Sequence, residues 1–254
     1  MTRRVGAVDA FELATTVVHA AAERGVPLRL LGGQAVRLLT PAFPPRARAG
    51  QDLDLASVSA AKQEVEALLA ELGFEGDRRF NALHGHKQLF FVGPGGEPVA
   101  DVIMDRLHMC HVLEFGDRIA RMPYTLDVAD LLLSKLQVVQ QNEKDVQDIT
   151  YLLAAFEVAE GDEPGTIGLA RIGRVIADDW GWWRTVTRNL ERVAELLRRE
   201  LRHLVPAAAS FDPVEQALAL RRFADAVPKS LRWKIRARVG ERVRWYELPE
   251  EVEH

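Results

Sequence analysis

Gln51-Asp-Leu-Asp-Leu55 decides how this chain is read: two aspartates separated by one leucine, about twenty residues after a Gly32-Gly33 pair that closes the apolar run Leu28 to Leu31. Side chains on an extended strand alternate between faces, so Asp52 and Asp54 are expected to project to one side while Leu53 and Leu55 bury on the other. A third acid, Asp101, stands in the similarly apolar strand Val99-Ala-Asp-Val-Ile103, where an unpaired carboxylate is costly. Three acids whose repulsion must be offset make most sense around a cation. Mg²⁺ held by a few carboxylates completes its shell with water and substrate phosphates. The pattern therefore points to phosphoryl or nucleotidyl transfer.

The glycines support that reading, because a Gly-Gly turn after a strand and before a helix lets backbone amides approach a phosphate closely. Around it, Phe11, Leu13, Val17, Val18, Ala21 and Ala22 recur at helical spacing up to Gly25. Gln34 to Leu39 begin a second helix, and Pro41, Pro44 and Pro45 mark a loop that leads to the acidic strand. Ala60 to Leu72 reads as an amphipathic helix ending at Gly73. Strands are expected over Phe74 to Phe80, Lys87 to Val92 and Pro98 to Met104. Beyond Pro123 the pattern is helical: Asp127 to Gln140, Lys144 to Phe156, Thr166 to Asp178, Trp182 to Leu204, Pro213 to Val227 and Ser230 to Glu241, with an acidic linker at Glu157 to Gly165. The expected fold class is α+β: a small mixed β-sheet flanked by helices over residues 1–160, then a helical, basic domain over 161–254.

With 254 residues, 48% of them hydrophobic, the chain can bury a sizeable core. Its single cysteine, Cys110, excludes an intramolecular disulfide and a cysteine-rich zinc site. Asp9, Glu12 and Glu23 interrupt what a signal peptide would need as an apolar stretch after Met1-Thr-Arg-Arg4, and no apolar run is long enough to cross a bilayer. A cytoplasmic protein with no membrane partner is expected. The net charge of −4 conceals a polarity: residues 171–244 hold 17 Lys and Arg against 9 Asp and Glu, a net of +8, which leaves −12 for the remainder. Arginines interleaved with Trp180, Trp182, Trp183, Trp233 and Trp245 suit unpaired RNA, and an amphipathic bundle with buried tryptophans explains the same composition. His84 and His86 at alternate positions invite a zinc reading, but no spacing completes the ligand set.

These residues together resemble the nucleotidyltransferase superfamily, whose pattern is a Gly-Gly or Gly-Ser turn, an acidic-apolar-acidic strand and a later strand with a third acid. The likeness covers about residues 28–155 and is closest to the AbiEii-like branch, which includes toxins of toxin–antitoxin systems. There a small residue follows the glycines, here Ala35, and an arginine precedes the acidic strand, here Arg48. A later helix carries a lysine, here Lys135, and a basic-Asp-x-x-Asp element resembles Lys144-Asp-Val-Gln-Asp148. The resemblance implies a nucleotidyltransferase fold and a Mg²⁺-dependent enzyme, with Mn²⁺ as a substitute. It would transfer a nucleoside monophosphate from an NTP to an RNA acceptor such as a tRNA 3′ end, with an antitoxin protein as a further implied partner.

Asp52, Asp54 and Asp101 would be the catalytic metal ligands, with Asp101 assisting the acceptor. Gly32, Gly33, Arg48, Lys135, Lys144 and Asp148 would serve nucleotide binding. Alternatives are transfer to a small hydroxylated, aminoglycoside-like molecule and a non-catalytic binding or regulatory protein of the same fold. Gln34 and Gly50 depart from the serine or threonine of the pattern, which bears on the triphosphate contacts. Lys135 also reads as a solvated lysine, and Lys144, Asp145 and Asp148 as an ordinary helix start.

Overall fold

The computed structural model describes residues 9–46 and 52–248; Arg48, Gly50 and Gln51 lie outside the described residues. The chain forms two compact units, one of residues 9–38, 52–105 and 116–126, the other of 39–46, 106–115 and 127–248. The helices over 127–156 belong to the second.

The first unit is built on a five-stranded mixed sheet. Its helix α1 (Ala10–Glu23) is capped by Asp9, whose carboxylate accepts the Phe11 N–H, and buries Ala14, Val17, Val18 and Ala21. Strand β1 (Arg29–Leu30) leads into α2 (Gly32–Leu39), which starts at the glycine pair as expected. Then come β2 (Leu53–Ser57), α3 (Lys62–Glu71), β3 (Glu75–Gly76), α4 (Arg78–His84), β4 (Gln88–Val92) and β5 (Val99–Met104). The strand order is β1-β2-β5-β4-β3, with β2 and β5 parallel and the other pairs antiparallel. One face is dry: Leu53 and Leu55 of β2, Ala100, Val102 and Met104 of β5, and Leu89 and Phe91 of β4 are buried with Val65, Leu68 and Leu69 of α3. Of the alternate positions, Asp54 is exposed and Phe90 and Asp101 are half-buried.

One expected strand is mostly helix. Of Phe74 to Phe80, only Glu75–Gly76 pairs with β4, because the Asp77 carboxylate accepts the Phe80 N–H at 2.9 Å and nucleates α4. His84 consequently sits on a helix and shares no strand face with His86.

In the second unit, β6 (Arg106–His108) and β7 (Val112–Glu114) form a hairpin, followed by α5 (Val128–Leu136) and α6 (Glu143–Ala155). Around the acidic linker, β8 (Val158–Ala159) and β9 (Ile167–Gly168) pair in parallel, a pairing too short to leave a periodic signal. Helices α7 (Leu169–Asp178), α8 (Trp180–Arg199), α9 (Pro213–Ala226) and α10 (Leu231–Val239) complete the unit. Helix α8 packs against α5, α7, α9 and α10. It buries Trp180 and Trp182 at its start; the Trp182 and Trp183 ring N–H groups donate to the Val112 and Ala224 carbonyls. Among the described residues no helix is long and apolar enough to cross a membrane.

His111 lies in the turn of the hairpin, between β6 and β7, stacked on Trp182 with its Nε2 2.8 Å from Thr185 Oγ1. Thr185 Oγ1 also accepts the Trp245 ring N–H, so its own proton can go to a neutral His111 Nε2. Burial pushes the His111 pKa down to about 4 from 6.5, against the opposing pull of the Asp179 carboxylate. The unfolded chain therefore binds the proton more readily than the folded one, and the stabilisation present above pH 6.5 is lost as pH falls towards 4. Urea unfolding across that window should show stability rising with pH, and His111→Asn should flatten the slope; an unchanged slope would contradict the burial of this ring.

Candidate active site

The parallel pairing of β2 with β5 runs in register from Leu53 opposite Ala100 to Ser57 opposite Met104, which sets Asp54 directly beside Asp101. Both stand on the face opposite the buried leucines. On the far side of Asp101, β4 places Phe90 in register, and the diagonal neighbour Gln88 donates its Nε2–H to Asp101 Oδ1 at 2.6 Å. At the other edge lies the start of α2. Gly32 has φ +66°, and a Cβ built there would come within 2.2 Å of Asp54 Oδ2. The absent side chain is what lets the Asp54 carboxylate reach the helix N-terminus, where the dipole favours negative charge. Gly33 follows inside the helix.

Asp52 is placed differently from its partner in the motif. Strand β2 begins at Leu53, and Asp52 occupies an exposed bend just before it. Gln34, buried in α2, donates its side-chain amide to the Asp52 carbonyl at 3.0 Å and so fixes where the strand begins. Among the described residues no group of three or more His, Cys, Asp or Glu side chains is assembled to hold a metal ion. The structure thus brings Asp54 and Asp101 together and leaves Asp52 outside the pair. Two hard carboxylate oxygens side by side still fit Mg²⁺, which is commonly held by one or two carboxylates with phosphates and water supplying the rest. Arg37 is turned to another task, its guanidinium lying 3.9 Å from the centre of the Phe11 ring.

In the second unit, Lys135 is not a solvated lysine. Its Nζ lies 3.0 Å from Asp148 Oδ2 and 3.3 Å from Asp145 Oδ1. Arg46 joins them, donating Nε–H to Asp148 Oδ1 at 2.8 Å. Asp148 is 1% exposed, and a carboxylate so deeply placed depends on its two cations. Asp145 has a second role, closing a capping box with Asn142 at the start of α6. The basic-Asp-x-x-Asp element is therefore both a helix start and part of a charged network. Lys144 is exposed.

No family model matches the chain, and no curated protein matches it. Among solved structures it is similar to an antigenic nucleotidyltransferase-like protein from Paracoccidioides brasiliensis, at 16% identity over 87% of this chain and 94% of that one, with a TM-score of 0.41. It is similar to the antibiotic-resistance factor ANT(2'')-Ia at 16% identity over 57% of this chain and 84% of that one, TM-score 0.39. Similarity to JHP933 from Helicobacter pylori is 11% identity over 91% and 96% of the respective chains, TM-score 0.35. At such identities and TM-scores the likeness carries no argument about activity.

Three contributors escape motif reading. Gln88 left one signal, a polar residue opening the apolar run Leu89-Phe-Phe-Val92. Gln34 looks like a departure from a pattern until its hydrogen bond is seen. Arg46 pairs with a residue 102 positions away and has no sequence signal at all. Gly32→Ala tests the crevice directly: with a strained φ and a Cβ pressed on Asp54, the variant should lose about 1–3 kcal/mol in urea unfolding. Wild-type stability would show that the close approach of Asp54 is not a constraint.

Proposed function

We propose that the chain is a Mg²⁺-dependent nucleotidyltransferase that moves a nucleoside monophosphate from an NTP to an acceptor hydroxyl, with pyrophosphate leaving. The observation that carries this reading is the in-register Asp54–Asp101 pair beside the glycine start of α2. Asp54 and Asp101 would hold the cation, with Asp52 as the third acid of the pattern. A divalent ion bound there supplies neutralisation of the phosphate charge. The chain's own groups do the rest: backbone amides at Gly32 and Gly33 receive phosphate oxygens, and Asp101, oriented by Gln88, is the candidate base for the acceptor. Positioning and preorganised charge account for most of the acceleration in such transfers.

Lys135, Lys144, Asp148 and Arg48 are further nucleotide-binding candidates, on the resemblance of residues 28–155 alone. The finer assignment to the AbiEii-like branch, with RNA as acceptor, a tRNA 3′ end in particular, rests on that resemblance.

Incubation with α-labelled NTPs, Mg²⁺, total RNA and small hydroxylated compounds tests both levels, because the label reports the acceptor. Label is expected in RNA; label only in a small compound would move the acceptor and leave the chemistry. Asp54→Asn removes a charge with little change in volume. It should leave circular dichroism unchanged while lowering transfer by about 10²–10³-fold or more, and undiminished turnover would refute the assignment.

A further inference from the structure

Five of the seven large hydrophobic side chains that stand exposed among the described residues fall between positions 231 and 248. Three of them, Leu231, Ile235 and Val239, recur every fourth residue along α10 and are 73%, 57% and 40% exposed. That spacing makes one continuous stripe on the helix surface. Trp233, on the opposite side of α10, packs edge-on against Trp183 of α8, so the helix is anchored by one face and leaves the other uncovered. The stripe overhangs a crevice of about 930 Å³ whose other walls include Trp180, His111 and Trp245. The segment after α10 is tied down along the far rim, where the Glu247 N–H donates to the Cys110 carbonyl.

Charge borders the stripe on both sides. Arg232 and Arg236 each follow an apolar position by one residue, and Lys234 and Arg238 each precede one, so basic rows flank it at about 100° per residue. Residues 229–244 carry seven Lys and Arg against one acid. Arg236 is engaged, donating to the Gly240 and Val243 carbonyls and stacking on Trp180, and Arg232 lies 3.8 Å from Asp178. Lys234, Arg238, Arg242 and Arg244 make no ion pair among the described residues.

A polyanion is therefore the natural occupant, and the uncharged groups decide which kind. Single-stranded nucleic acid wants open aromatic faces, whereas here Trp180 is 6% exposed, Trp245 packs edge-on against Trp180 and Tyr246, and Arg244 lies over the Tyr246 ring; the most exposed apolar groups are the aliphatic ones of the stripe. A bilayer wants a convex or flat apolar face, whereas this stripe forms one wall of a concavity. An apolar groove with anchors at helical spacing and a basic rim matches helix-in-groove recognition. We propose that α10 and the crevice beneath it dock an acidic amphipathic helix of a partner protein, its apolar side on Leu231, Ile235 and Val239 and its carboxylates on Lys234, Arg238 and Arg242. This site is independent of the nucleotidyl-transfer reading.

The test uses the full chain and fluorescence anisotropy of a labelled synthetic helix with leucines on one face and glutamates on the other. Controls are a scrambled peptide of the same composition, an oligouridylate, and vesicles of phosphatidylcholine with phosphatidylserine. Saturable binding of the acidic amphipathic helix is expected, weakened about tenfold or more by Ile235→Ser and also by Arg238→Glu. Both residues are exposed, and circular dichroism should confirm that each variant folds as wild type. Absence of saturable binding, equal binding of the scrambled peptide, or equal binding to Ile235→Ser overturns the proposal. So does tighter binding of oligouridylate or vesicles that Ile235→Ser weakens.

Discussion

The register of two parallel strands is the constraint on which the candidate site depends. Leu53, Leu55, Ala100 and Val102 are fully buried on the dry face of the sheet, and a slip of one residue between β2 and β5 would turn a whole row of side chains to the wrong face. The same packing that hides these four apolar groups thus forces Asp54 to stand beside Asp101. At the roughly 5 Å spacing of neighbouring strands, two like charges repel by about 1 kcal/mol in water and about 3 kcal/mol at an effective dielectric constant of about 20. The core holds the acids in an arrangement that their own charges oppose.

The helix start at Gly32 is the second half of the same device. A residue with a side chain there would displace the Asp54 carboxylate, whereas glycine admits it to the positive end of α2. Gln88 then orients Asp101 from the neighbouring strand, and Gln34 holds the backbone of Asp52 just outside the sheet. In the second unit a parallel economy of charge appears: Asp148 is kept buried by Arg46 and Lys135, and the same helix start carries Asp145 in its capping box.

Much of this was legible in the chain itself, for identifiable reasons. Period-two alternation marked β5 and the leucines of β2, and apolar spacing of three and four marked α1, α6 and α9 to within a residue or two. Local chemistry that competes with those periods was harder to see. Asp77 turned an expected strand into α4 by capping it, and β2 begins one residue later than the alternation of Asp52 and Asp54 suggests. Contacts between distant positions, such as Arg46 with Asp148, leave no periodic trace. For the tryptophans at the start of α8 the sequence favours core over a stacking platform, and Trp180 and Trp182 are buried.

The proposed active site requires Asp54 and Asp101 to share one divalent ion when a nucleotide is present. Electron paramagnetic resonance of Mn²⁺ titrated into the protein with a non-hydrolysable NTP reads this directly, since free and bound Mn²⁺ differ in signal. One bound ion per chain is the expected result, lost on Asp101→Asn with the fold intact. Equal Mn²⁺ uptake by wild type and Asp101→Asn would contradict a metal centre built on this pair.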